Sequence, residues 1–134
     1  MQHETKIRVR YGEVDRMGFL YHSHYVEYFD VGRSEMMREV GMPNSEIEAR
    51  GIELPVLKVE IDYKKPAFYD DLLTIRTTLR ELPKVKIRFD YEVFSENGEL
   101  ITTGAVTLAF MNAKTKRPVR CPEFLIEAIA KYLP

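Results

Sequence analysis

Hydrophobic and polar residues alternate along much of the chain. Between residues 5 and 11, Ile7, Val9 and Tyr11 fall on one face and Lys6, Arg8 and Arg10 on the other, the period of a half-buried strand. The period then lengthens. Tyr25, Tyr28, Phe29, Gly32, Met36 and Val40 recur every three or four residues, which predicts a long amphipathic helix from Ser23 to Val40. Ser23 or His22 stands at its N-cap, where a serine hydroxyl can accept a first-turn N–H. Gly41 and Pro43 mark its end. Residues 43–51 predict a connection with a short helical turn, capped by Asn44 or Ser45, with Glu48 forming a capping box with Ser45.

Four further strands follow. Leu57, Val59, Ile61 and Tyr63 alternate with Lys58, Glu60 and Asp62, and Pro66 ends the run. After a turn at Tyr69-Asp70-Asp71, the strand near 72–81 has Leu73, Ile75, Thr77 and Leu79 as its inward set. Leu82-Pro83-Lys84 turns the chain again. Val85, Ile87, Phe89, Tyr91 and Val93 then oppose Lys86, Arg88, Asp90 and Glu92. Asn97-Gly98 predicts a type I′ hairpin turn. The fifth strand, near 99–112, is small and apolar, and Gly104 within it marks a bulge or a close backbone approach. Pro122 opens a C-terminal helix that lays Leu125, Ala128, Ile129 and Tyr132 over the core. Five one-faced strands and one striped helix predict an α+β unit, an antiparallel sheet wrapped on the helix.

At 134 residues, 45% hydrophobic, the chain is expected to form a single domain with a sizeable core. A net charge of −1, with both signs scattered, gives no basis for wholesale nucleic-acid or membrane-surface binding. No apolar run is long enough for a membrane span, and the polar start Met1-Gln2-His3-Glu4-Thr5-Lys6 does not read as a secretory leader. The single Cys121 allows no internal disulfide, so the expected location is cytoplasmic.

The chemistry gathers where the first strand passes into the helix, at Tyr11-Gly12-Glu13-Val14-Asp15-Arg16-Met17-Gly18-Phe19-Leu20-Tyr21-His22-Ser23-His24-Tyr25. A helix N-terminus presents unpaired N–H groups and a partial positive charge. It suits an oxyanion, such as that of a thioester under attack. Asp15 lies a few residues upstream, so a carboxylate and an oxyanion site share one neighbourhood. That pair is a minimal hydrolase.

This stretch resembles the motif Tyr-x-Asp-x-Asp-x-x-Gly-x-Val-Tyr-His-x-x-Tyr of hotdog-fold acyl-CoA thioesterases of the 4-hydroxybenzoyl-CoA thioesterase type, in particular the small bacterial enzymes with a Tyr-His pair before the helix. Here Glu13 replaces the first acid, Asp15 matches the second, and Met17 stands where a small residue is common. Ile52-Glu53-Leu54-Pro55-Val56 and Asp62-Tyr63-Lys64-Lys65-Pro66-Ala67-Phe68-Tyr69-Asp70-Asp71-Leu72 resemble the family's second-strand segment and the turn after it. The resemblance implies a five-stranded sheet around one long helix, a homodimer or homotetramer with the cleft between subunits, an acyl-CoA substrate and no cofactor or metal.

It also implies roles. Asp15 attacks the thioester carbonyl or deprotonates a water. His22 lines the site, and the backbone N–H groups of Tyr21, His22 and Ser23 are the candidate oxyanion hole. Tyr11, Met17, Gly18 and Tyr25 are candidate substrate contacts, although Tyr25, Tyr28 and Phe29 also fit a core stripe. Lys84 with Lys86, and Lys114, Lys116, Arg117 and Arg120, are the cations available for CoA phosphates; resemblance favours the first pair, against a reading of both as solvated surface. Glu13 reads as a turn or surface acid. His24 reads as facing solvent or a partner subunit, and His22 and His24, two residues apart, do not share a helix face on which to bind a metal. Cys121, with no nearby histidine, reads as structural. Gly32 costs about 1 kcal/mol within a helix, which points to close packing on the sheet. The rival readings are a non-catalytic acyl-CoA or acyl-carrier-protein binding protein, acyl-carrier-protein hydrolysis and a dehydratase; His24 with Glu27 matches the last poorly.

Overall fold

The computed structural model describes residues 1–134. The long strands are β1 (Gln2–Arg8), β3 (Val56–Tyr63), β4 (Leu72–Thr78), β5 (Lys86–Phe94) and β6 (Leu100–Asn112). They pair antiparallel in the order β1-β4-β5-β6-β3. Two short strands the sequence did not announce, β2 (Ile52–Glu53) and β7 (Pro118–Val119), extend the far end of β6. The helices are α1 (His24–Glu39), α2 (Asn44–Ala49) and α3 (Glu123–Ala130). The predicted five-stranded sheet around one long helix is the observed fold, and α3 places Leu125 and Ile129 in the core. No helix is long and apolar enough to cross a membrane.

The clean alternations held because one face of each strand is covered. Leu73, Ile75, Thr77 and Leu79 are buried, as are Ile87, Phe89, Tyr91 and Val93; Val85, expected with them, is exposed because β5 begins only at Lys86. On α1, Tyr25, Tyr28, Phe29, Gly32 and Met36 face the sheet. Phe29 stacks on Tyr91 with ring centroids 4.3 Å apart. A Cβ at Gly32 would lie 2.5 Å from Thr77 Oγ1, so close packing explains this glycine. Gly104 has the same role in β6: a Cβ there would meet the Phe29 ring at 2.6 Å and the Glu60 backbone oxygen at 2.8 Å.

Several local expectations need correction. β1 starts at Gln2 and ends at Arg8, and Tyr11 belongs instead to a 3-10 turn, Tyr11–Glu13. Ser23 is the N-cap of α1, but its backbone is helical and its hydroxyl caps nothing. The C-terminus behaves as expected: Gly41 has φ +81°, and Gly41 and Met42 donate back to Arg38 and Met37, a Schellman closure. Pro43 caps α2, and Asn44 bonds Glu48, so the Ser45–Glu48 box does not form. Asn97-Gly98 is not a type I′ turn, since only Gly98 has positive φ. Ser95 N–H donates to Glu99 O and Gly98 N–H to Ser95 O, a three-residue loop with glycine at the left-handed position.

The largest difference is β3. Of its predicted inward set only Ile61 packs against the core, while Leu57, Val59 and Tyr63, with Val56, are exposed because nothing in this chain covers them; the outer edge of β3 is also unpaired.

Candidate active site

The segment between β1 and α1 folds back on itself. Val14 bridges Leu20, Asp15 N–H donates to Phe19 O (2.9 Å), and Gly18 N–H donates to Asp15 O (3.0 Å). Gly18, at φ +84°, makes this reversal without strain. The Asp15 side chain braces the same turn, its Oδ1 accepting from the N–H of Met17 (2.9 Å) and Phe19 (3.2 Å). Its other oxygen has no protein partner. Leu20 N–H donates to Ala67 O (2.8 Å), which ties the turn to the segment after β3.

Asp15, Met17, His22 and Tyr25 line one cleft of about 320 Å³, together with Tyr63 and Lys64. The carboxylate and the start of α1 therefore share a cavity, as the motif implied. Met17 is 70% exposed at the rim. Tyr25 is both core and cleft wall, and burial pushes its phenol pKa up.

The backbone donors divide. Tyr21 N–H is occupied by Glu13 O at 2.8 Å, so Tyr21 drops out of the three candidates. His22 and Ser23 N–H find no acceptor within the protein.

Glu13 is the main surprise. It is 5% exposed. Its Oε1 accepts from Arg10 N–H (2.8 Å) and Tyr28 OH (2.7 Å), and its Oε2 from Arg10 Nη2 (3.0 Å). Side chain and carbonyl together make Glu13 the residue that seats the 3-10 turn against α1 and orients Tyr21. Burial alone would raise its pKa, but the bonds from Arg10 and Tyr28 outweigh that and hold the carboxyl below the usual range. Burial and the Glu13 carboxylate together push the Tyr28 phenol up.

The folded-state pKa of Glu13 is thus below its unfolded value. Its contribution is present above the ordinary Glu pKa of about 4.3 and is lost as pH falls through the lowered value. Glu13→Gln should lower stability by about 1.5–3 kcal/mol at neutral pH, the range for hydrogen bonds to a charged group. Thermal melts of the two proteins should converge as pH falls below the ordinary Glu value of about 4.3 and the wild-type carboxylate takes up its proton through the lowered one. A gap independent of pH would show that the charge contributes nothing.

Other candidates lie elsewhere. Tyr11 is 79% exposed and packs edge-on against Tyr69 (5.5 Å); it does not line the cleft, because the 3-10 turn carries it away from the strand face. Lys84 and Lys86 line a separate groove of about 670 Å³ with Arg80 and Arg88. That groove lies at the start of β5, so one chain does not bring them to Asp15. The cations in the Asp15 cleft are Lys64 and Lys65, which sequence reasoning missed although they stand inside the second motif segment. Lys65 pairs with Glu99, while Lys64 has no acid partner. His24 is half-buried, 3.3 Å from Glu27. Glu13, His24 and Glu27 bring ligand atoms within 4.8 Å of one another, but Arg10 and Tyr28 already hold both Glu13 oxygens. Cys121 is buried, its thiol pushed up to about 12 by burial and the Glu123 charge, which leaves it inert as a nucleophile.

With the geometry in place, residues 9–129 match the model of the thioesterase-like superfamily. The chain belongs to the thioesterase-like superfamily. It is a thioester hydrolase with the hotdog fold. It is 33% identical over 122 residues to a putative esterase of Aquifex aeolicus, covering 91% of this chain and 93% of the relative. It is 29% identical to the putative acyl-CoA thioesterase YneP of Bacillus subtilis, with 87% and 85% covered. The structure superposes on the DHNA-CoA thioesterase of Staphylococcus aureus with a TM-score of 0.92 and 32% identity, over 98% of this chain and 90% of that one. The resemblance carried by the Tyr11–Tyr25 motif therefore extends over nearly the whole of this thioesterase.

Proposed function

We propose that this thioesterase hydrolyses acyl-CoA to a carboxylic acid and free CoA, with Asp15 as base or nucleophile and the His22 and Ser23 N–H groups holding the oxyanion. One observation carries the reading: a carboxylate with a free oxygen and the open start of α1 line the same cleft. The relatives support the CoA ester, since YneP and the S. aureus enzyme are named for CoA thioesters. Met17, Phe19, Leu20 and Tyr25 give the cleft an apolar wall, which suits an apolar or aromatic acyl group. His22 is exposed at the cleft mouth, where its imidazole can meet the thioester. The free edge of β3, with Val56, Leu57 and Val59 uncovered, supports assembly as a homodimer through that strand, and a homotetramer built from two such pairs. We place the enzyme in the cytoplasm, where the one thiol stays reduced.

The test is free-thiol release from a panel of acyl-CoA thioesters of varied chain length and aromatic character. Release from at least one class is expected. Tight binding without release would favour the non-catalytic acyl-CoA or acyl-carrier-protein binding protein.

For the CoA phosphates the two lysine groups make opposite predictions. Lys64→Ala should raise the KM for acyl-CoA severalfold with little change in turnover, and leave the N-acetylcysteamine thioester of the same acid unaffected. Lys84→Ala should do so only if the nucleotide crosses the groove at Lys84 and Lys86.

A further inference from the structure

The turn that carries the proposed oxyanion donors is pinned at three points. Tyr21 N–H donates to Glu13 O, and His24 N–H donates to Tyr21 O at 3.0 Å; both bonds lie within the same local segment. The third comes from across the fold: the Tyr63 hydroxyl donates to His22 O at 2.9 Å. Tyr63 is the last residue of β3, and its backbone is in register with Thr102 of β6. Its ring packs edge-on against Tyr25 at 5.3 Å, and Tyr25 is anchored in the core. Tyr63 thus fastens the start of α1 to the rim of the sheet.

The carbonyl it holds belongs to the peptide that supplies the Ser23 N–H. That peptide is trans, and a trans peptide unit is close to planar, so the N–H points opposite the C=O. A bond that fixes the His22 oxygen therefore fixes the direction of the Ser23 N–H. It also polarises the amide and strengthens that N–H as a donor.

We propose that Tyr63 is a positioning residue for hydrolysis: its hydroxyl orients and polarises the His22–Ser23 peptide so that the Ser23 N–H is preset for the oxyanion. The inference rests on the oxyanion reading of the preceding section. Burial raises the pKa of the phenol, so it stays protonated and a donor throughout the neutral range. No proton leaves Tyr63 during turnover.

The experiment is Tyr63→Phe, which keeps the ring against Tyr25 and removes the hydroxyl alone. Turnover of acyl-CoA should fall about tenfold, the rate equivalent of one hydrogen bond. KM should stay within about twofold, because the donor acts on charge that develops in the transition state. The pH profile should keep its wild-type shape, and the thermal midpoint should match wild type because Tyr63 is half exposed. An unchanged turnover number overturns the proposal. So does a raised KM at constant turnover, which would make Tyr63 a substrate contact, and so does a shifted pH profile, which would make it an acid or base. If wild-type protein releases no thiol from any acyl-CoA, the oxyanion reading fails, whatever Tyr63→Phe does.

Discussion

Replacing Asp15 with alanine should lower the turnover number for acyl-CoA at least about a hundredfold, the lower end of what a lost general base costs. Oδ1 of Asp15 is held by the Met17 and Phe19 N–H groups, which leaves one oxygen oriented and available. Alanine removes the oxygen proposed to react and both braces of the turn. Asparagine keeps the Oδ1 acceptor and loses the charge, so it separates chemistry from scaffolding. Both variants should lose turnover, and only alanine should loosen the Asp15–Phe19 turn. Single turnover in H₂¹⁸O tests the covalent route: label found in the Asp15 carboxyl identifies an anhydride intermediate opened by water at the Asp15 carbonyl. Near wild-type turnover in either variant, with circular dichroism unchanged, would remove Asp15 from the mechanism.

Gly104→Ala should lower stability about as much as losing the Glu13 charge. The added methyl would sit 2.6 Å from the Phe29 ring and 2.8 Å from a backbone oxygen of β3. Phe29 has no exposed surface and is stacked on Tyr91, so its ring cannot swing away. Either α1 lifts from the sheet or β3 slides along β6. Overpacking of this kind costs about 1–3 kcal/mol, which for a chain of this size lowers the melting temperature by roughly 4–12 °C. Calorimetry checks it. Because β3 ends at Tyr63, the part of the strain taken up by β3 reaches the cleft as well. An unchanged melting temperature would mean that the contact between α1 and β6 is looser than described.

The sequence showed the parts of the fold where one face is dry and the other wet. β4 and β5 alternate cleanly because α1 covers their inner faces, and Gly32 and Gly104 stood out because each breaks a pattern that only close approach justifies. β3 misled for the converse reason: Leu57 and Val59 carry an inward pattern, yet nothing within this chain covers them. The hairpin at Asn97-Gly98 was placed correctly but mistyped, since the dipeptide fits both a two-residue and a three-residue loop. At the site, Asp15, His22 and Ser23 were legible because they are local to one motif. Glu13 was not, because a buried acid depends on Arg10 and Tyr28 being folded against it. Tyr63 and Lys64 were not, because they reach the cleft only when β3 pairs with β6; charge and resemblance alone pointed to Lys84 and Lys86.

The most direct test of the account measures binding and turnover together in Asp15→Asn. A non-hydrolysable thioether analogue of the preferred acyl-CoA, titrated by calorimetry, should bind wild type and variant with the same affinity. Thiol release from the matching ester should persist in wild type and be lost in the variant. Equal turnover in the two proteins would contradict the account, and so would a loss of binding that tracks the loss of rate.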